Sequence, residues 1–166
     1  MTDKELFIYT LKDELARFER VFKAFETIPQ KKHSYKHDKK SRTAFELMSH
    51  TFGQESAMIQ TFLKTGKLDF MTWKGPKLKT ATDVRKEFMK SVSAIIEMTK
   101  KMSAKVWASP SRIYSGDKLE WETPRGLMAW SFLLDLIHHR GQLSTYLRPM
   151  GGKVPSIYGP SADSGN

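Results

Sequence analysis

The chain has 166 residues, with 28 Lys and Arg against 18 Asp and Glu, and a formal net charge of +10. This length suffices to bury a core and predicts one domain over residues 1–166. Because there are no cysteines, disulfides, thiolate zinc sites and cysteine nucleophiles are excluded. No apolar run approaches the length of a membrane span, and the first residues lack a signal-peptide pattern. We therefore expect a cytoplasmic protein without membrane contact.

Lysine and arginine are concentrated in two segments, residues 31–42 and 64–79, that we expect to be loops. Such segments could bind nucleic acid, attract an anionic small substrate, or simply keep the loops solvated. No nucleic-acid motif accompanies them, so we favour solvated loops and do not expect nucleic-acid binding. His33 and His37 belong to the first segment, and we expect both side chains to be solvated.

Apolar residues at spacings of three and four predict three helices before residue 105. The first begins with a capping box at Thr2 and Glu5 and ends before Pro29. The second begins with a capping box at Thr43 and stops near Gly66. The third opens at residue 83, and residues 66–81 are predicted to form a loop.

A fourth helix is predicted to start at Thr123-Pro124, as N-cap and first-turn proline, and to end at Pro149. Before it, residues 105–122 form a long connection with turn formers, in which 112–114 and 118–121 could be short extended pieces. Residues 154–160 form an extended tail. The pattern predicts an all-α four-helix bundle with a long loop between helices 3 and 4.

The fourth helix carries Asp135 and His139, which are four residues apart and so share one face. The helix is apolar on nearly every side, and buried polar groups need partners. A metal ion held by these two residues and by His50 of the second helix is one solution, with a donor set that suits zinc, nickel or ferrous iron. The alternative, commoner for this spacing alone, is a hydrogen bond from His139 to Asp135 without any metal.

Three neighbours of His139 have weaker claims to a role in the site. His138 points about 100° away on a helix of ~3.6 residues per turn, so a supporting or packing role fits it better than metal ligation. Gln142 could hydrogen-bond a ligand of the metal. Gly141 costs about 1 kcal/mol relative to alanine inside a helix, which favours a close helix approach at that point.

These residues resemble a known family. The segment 138–143, His-His-Arg-Gly-Gln-Leu, with Tyr146-Leu147-Arg148, Pro155–Pro160 and residues 41–47 leading to His50, is similar to the DinB/YfiT-like metal-dependent proteins, which are distinct from the DNA polymerase of that name. The resemblance implies a four-helix bundle, usually a homodimer. It also implies a divalent metal on three residues, most often histidines, which here correspond to His50, Asp135 and His139.

An aspartate at position 135, where histidine is commoner, adds a negative charge and favours oxygen-preferring metals. With two imidazoles still in the set, we expect zinc or nickel, with iron or manganese as alternatives. The resemblance implies a hydrolase or thiol S-transferase in which the metal activates water or a low-molecular-weight thiol toward a small-molecule substrate. The alternative is a non-catalytic stress-response or binding protein with a weak or vestigial metal site.

Overall fold

The structure is a computed structural model that describes residues 1–164. Its helices are α1 (Asp3–Glu26), α2 (Ala44–Met48), α3 (Ser56–Thr65), α4 (Ala81–Lys101), α5 (Ala104–Trp107) and α6 (Arg125–Leu147). A 3-10 turn covers Gln30–Lys32, and a π-helical segment, Ser49–Glu55, joins α2 to α3. The chain is therefore mostly helical. Within residues 1–164, no helix combines the length and apolar character that crossing a membrane requires.

Helix starts follow their capping signals. The predicted capping boxes at Thr2 and Thr43 are confirmed, because each side chain accepts from the backbone N–H three residues on. A third box joins Thr80 to Asp83, so α4 begins at Ala81, before the predicted start. Gly66 ends α3 in the left-handed conformation, with φ 73°, which glycine adopts without steric cost.

The long helical segments pack side by side. Helix α1 packs against α4 and α6, α3 packs against α4, and α2 packs against α6. A cluster of phenylalanines, Phe18, Phe22, Phe52 and Phe88, lies at the centre with ring centroids 5.0–6.3 Å apart. All four side chains are fully buried, so they anchor α1, the π-helical segment and α4 to one another.

A three-stranded sheet of β1 (Lys67–Asp69), β2 (Pro110–Ser115) and β3 (Lys118–Pro124) accompanies the helices. Strand β1 pairs parallel with β2, and β2 pairs antiparallel with β3. The expectation of an all-α fold is therefore confirmed only in part: the chain is mostly helical, but a small sheet accompanies the helices. Residues 112–114 and 118–121 are extended, as considered from the sequence. Strand β1, the parallel partner of β2, is only three residues long and lies in a segment predicted to be a loop.

Two further local predictions were wrong. Thr123 does not cap the fourth helix, because it pairs with Ser111 in the sheet and α6 begins at Arg125. His33 is buried rather than solvated: its Nε2 lies 2.9 Å from the carbonyl oxygen of Ile28 and its ring packs on Phe25. A basic loop can thus hold a buried histidine when the ring meets a backbone carbonyl and an aromatic face.

Candidate metal site

Helix α6 presents Asp135 and His139 to a cleft between the helices and the sheet. The His139 Nε2 atom lies 3.3 Å from the Asp135 carboxylate, as the spacing of four residues predicts. The Asp135 side chain is 46% exposed and that of His139 is 23% exposed. Both side chains therefore remain accessible from the cleft.

The facing residues come from the π-helical segment, which contains His50 and Glu55. In a regular α-helix these two residues would point about 140° apart, given ~3.6 residues per turn. A π-helix forms i to i+5 hydrogen bonds, so residues five apart lie close to the same face, and such turns are frequent at functional sites. The change of helix type therefore turns Glu55 toward α6.

Glu55, Asp135 and His139 form the convergent group of the site. One potential ligand atom of each residue lies within 4.8 Å of those of the other two. Burial raises the pKa of Glu55 to about 8, and the hydrogen bond to Asp135 and its negative charge act in the same direction. Near neutral pH the pair thus holds a proton in the absence of a cation.

His50 lines the same cleft as Glu55, Asp135 and His139. It is not a member of the group whose ligand atoms converge within 4.8 Å. Burial, followed by the charge of Arg42, lowers the pKa of His50, so its imidazole is neutral and retains a lone pair. His50 is therefore chemically suited to ligation from the edge of the site.

Gln142 connects the two neighbouring histidines of α6. Its Oε1 atom lies 2.7 Å from His139 Nδ1, and its Nε2 atom lies 2.9 Å from His138 Nε2. With the amide oxygen accepting from Nδ1–H, the lone pair of His139 is on Nε2, the atom beside Asp135. The structure thus places Gln142 and His138 behind His139, where they hold its ring and tautomer.

Arg140 is buried and serves the fold rather than the cleft. Its guanidinium forms an ion pair with the buried Glu14 of α1 and donates to Tyr158 Oη at 2.7 Å. Tyr158 in turn donates to Glu14 at 2.9 Å, which attaches the C-terminal tail to α1 and α6.

At Gly141, an added Cβ would meet no heavy atom of residues 1–164 within 4 Å, so the predicted close helix approach was wrong.

Glu55 is the site residue that sequence reasoning missed. Regular helical periodicity puts it on a different face from His50, and a π-helical turn has no simple sequence pattern. Gly53 is a weak signal, because glycine is costly inside a helix. In the structure, a Cβ at position 53 would meet the end of the Leu78 side chain, which would have to move.

Two carboxylates and one or two imidazoles suit a first-row divalent metal. Carboxylate oxygen and imidazole nitrogen are both common ligands of zinc, iron and manganese. A cation would also relieve the repulsion that two close carboxylates create when both ionise. The residues present therefore fit a metal ion.

Comparison with known proteins places the chain in a family. The model of the DinB family matches residues 1–165. A DinB-like protein from Bacillus subtilis has a similar fold, with a TM-score of 0.66 and 15% identity over 96% of this chain and 99% of that protein. A DinB-like protein from Bacillus cereus ATCC 10987 gives a TM-score of 0.70 and 17% identity, over 93% and 97% of the two chains. No curated protein matches the chain. The chain therefore belongs to the DinB family.

Proposed function

We propose that the protein binds one divalent metal ion per chain in the cleft between α6 and the π-helical segment. Glu55, Asp135 and His139 hold the ion, and His50 completes the set from the edge of the cleft. The convergence of three potential ligand atoms within 4.8 Å carries this proposal. Membership of the DinB family supports it.

Zinc and nickel remain the first candidates, with iron and manganese as alternatives. Glu55 adds a second carboxylate to the ligand set expected from the sequence, which moves the preference toward metals that favour oxygen. The imidazole nitrogens of His139 and His50 are ligands that zinc and nickel also accept.

The proposed activity is that of a metal-dependent hydrolase or thiol S-transferase. When bound, the metal would lower the pKa of a water or thiol and so supply a nucleophile near neutral pH. Gln142 fixes the His139 ring so that Nε2 faces the cleft. The apolar walls of the cleft would limit the access of bulk water to the reacting groups.

The metal content of protein purified without a polyhistidine tag tests this proposal. We expect about one divalent ion per chain in the wild type and almost none in His139→Ala, because that change removes a nitrogen ligand. His37→Ala is the matched control and should retain the ion, since His37 does not line the cleft and its imidazole is hydrogen-bonded to Thr145. Full metal content in His139→Ala would overturn the site.

A non-catalytic binding protein is the second candidate. The observation that favours it is that the polar groups of the site already have hydrogen-bond partners: the protonated carboxyl of Glu55 donates to Asp135, and the amide oxygen of Gln142 contacts His139 Nδ1. A vestigial site of this kind is stable without an ion. The test is whether the metal-loaded protein converts an electrophile, either by transfer to a low-molecular-weight thiol or by hydrolysis. Turnover would support an enzyme, and the absence of turnover would support a binding protein.

A further inference from the structure

The cleft at the proposed metal site is large and chemically divided. Its volume is about 810 Å³, within the roughly 300–1,000 Å³ typical of small-molecule sites. The three convergent site residues occupy one part of its lining, and Glu122 is a further carboxylate, on β3. The other walls are mainly aromatic and aliphatic, and include Phe70, Trp73, Trp121, Leu127 and Phe132. A ligand that fills this space has one polar end and an apolar body.

The sheet brings the aromatic residues of the cleft together from distant parts of the chain. Phe70 follows β1 and Trp121 lies in β3, and their ring centroids are 6.2 Å apart in an edge-to-face arrangement. Trp121 is nevertheless 55% exposed and Phe70 is 42% exposed. Exposed aromatic surface beside a concave, apolar site is typical of a surface that a ligand covers.

The charge of the cleft differs from that of the chain as a whole. The chain has a net charge of +10, yet no lysine or arginine of residues 1–164 is among the residues that line the cleft. Its acidic side chains are Glu55, Asp135 and Glu122, and Glu122 is paired with Arg112. An anionic ligand would meet no cationic side chain here, so the lining favours an uncharged body.

We propose that the cleft binds an uncharged aromatic small molecule with a single metal-binding group, which reaches the ion held by Asp135 and His139. Trp121 and Phe70 select for an aromatic ligand by contact with its ring. The metal-binding part of this inference rests on the proposed function. The aromatic part rests on the cleft lining alone and applies to the metal-free protein as well.

Two hydroxamic acids test the whole proposal on the zinc-loaded protein, with affinity measured by calorimetry. Acetohydroxamic acid presents the chelating group alone, whereas 2-naphthohydroxamic acid adds an aromatic body. We expect the naphthyl compound to bind at least about tenfold more tightly, because its rings bury apolar surface in the cleft. Trp121→Ala and Phe70→Ala should each reduce this advantage and leave the affinity for acetohydroxamic acid unchanged.

Tyr9→Ala is the matched control, because Tyr9 is an exposed aromatic residue of α1 outside the cleft lining. It should preserve the full advantage of the naphthyl compound. Equal affinities of the two hydroxamic acids for the wild type would overturn the inference and leave the metal site standing. Equal losses of the naphthyl advantage in Tyr9→Ala and Trp121→Ala would overturn it as well.

Binding of 2-naphthol to the metal-free protein, followed by tryptophan fluorescence, separates the two proposals. We expect saturable binding that Trp121→Ala weakens, and at least about tenfold weaker binding of 2-naphthol-6-sulfonate, which carries a negative charge. If the hydroxamic acids fail to bind but 2-naphthol behaves as expected, the metal site is wrong and the aromatic cleft stands. If 2-naphthol does not bind, or its sulfonate binds more tightly, the inference is overturned.

Discussion

Glu55 and Asp135 place two carboxyl groups together at the site. The stability of the metal-free protein should therefore depend on pH in a specific way. Burial raises the pKa of Glu55 to about 8, from an ordinary value of 4.5. The folded state therefore holds a proton that the unfolded chain releases above pH 4.5. Retention of this proton contributes to the free energy of unfolding. The contribution is fully present below pH 4.5 and is lost as the pH rises through about 8.

Urea unfolding of the metal-free protein between about pH 4 and about pH 9 measures this effect. We expect the free energy of unfolding of the wild type to fall across that window by more than that of Glu55→Gln, whose amide cannot ionise. The other titrating groups are the same in both proteins, so the difference between their profiles isolates Glu55. Parallel profiles would mean that Glu55 is not held as a buried, protonated acid.

Arg140 and Glu14 form an ion pair in which both side chains are almost fully buried. Arg140→Ala removes the buried cation of this pair and leaves Glu14 with only the partly exposed Arg17 and the hydroxyl of Tyr158 as partners, so we expect a loss of about 3 kcal/mol in the free energy of unfolding. Arg148→Ala removes a comparable but solvent-exposed pair with Asp163 and should cost less than about 1 kcal/mol. Similar costs for the two variants in urea unfolding would contradict a structural role specific to Arg140.

At the residue scale, spacing identifies Asp135 and His139 because a regular helix fixes the relation between residues four apart. The same reasoning misses Glu55, whose orientation depends on a π-helical turn. In the sequence, Arg140 stands out only as part of a family motif. Its partners, Glu14 and Tyr158, lie 126 and 18 residues away in the chain, and no local pattern indicates such a contact.

At the scale of elements, the helices and the extended pieces in β2 and β3 were predictable, whereas β1 and its pairing with β2 were not. Capping boxes and apolar spacing locate α1 and the start of α2 from a few neighbouring residues. Strand β1 has three residues, and its pairing with β2 joins segments more than 40 residues apart. A strand this short has no measurable alternation of its own, so only tertiary packing identifies it.

The sheet is integral to the fold because β2 inserts Ile113 into the core, where the side chain is almost fully buried. We expect Ile113→Ala to lower the free energy of unfolding by about 3 kcal/mol, through lost burial and the cavity that remains. Leu119→Ala in β3 is the control, because Leu119 is exposed and should cost less than about 1 kcal/mol. A negligible loss in Ile113→Ala by urea unfolding would show that the sheet packs only loosely on the helices.

At the scale of the whole molecule, we predict a homodimer, on the basis of the family resemblance and the surface of α6. The sequence of α6 predicts burial on nearly every side, yet Leu127 is 58% exposed and Leu134 is 60% exposed. These residues are seven apart and share one face, which a second copy could cover. Light scattering at micromolar concentration should give twice the chain mass, and Leu134→Glu should shift the protein toward the monomer. A monomer mass for the wild type would contradict the prediction.

The central claim is that Glu55, Asp135, His139 and His50 hold one metal ion, and parallel titration of the metal-free variants with zinc and nickel tests it most directly. We expect Glu55→Gln, His50→Ala and Asp135→Leu each to weaken binding at least about tenfold, because each removes a ligand. Asp135→His should retain binding, with a preference shifted toward zinc and nickel. Thermal melting of each variant without metal shows whether the fold is intact. Wild-type affinity in Glu55→Gln, His50→Ala and Asp135→Leu would contradict the site.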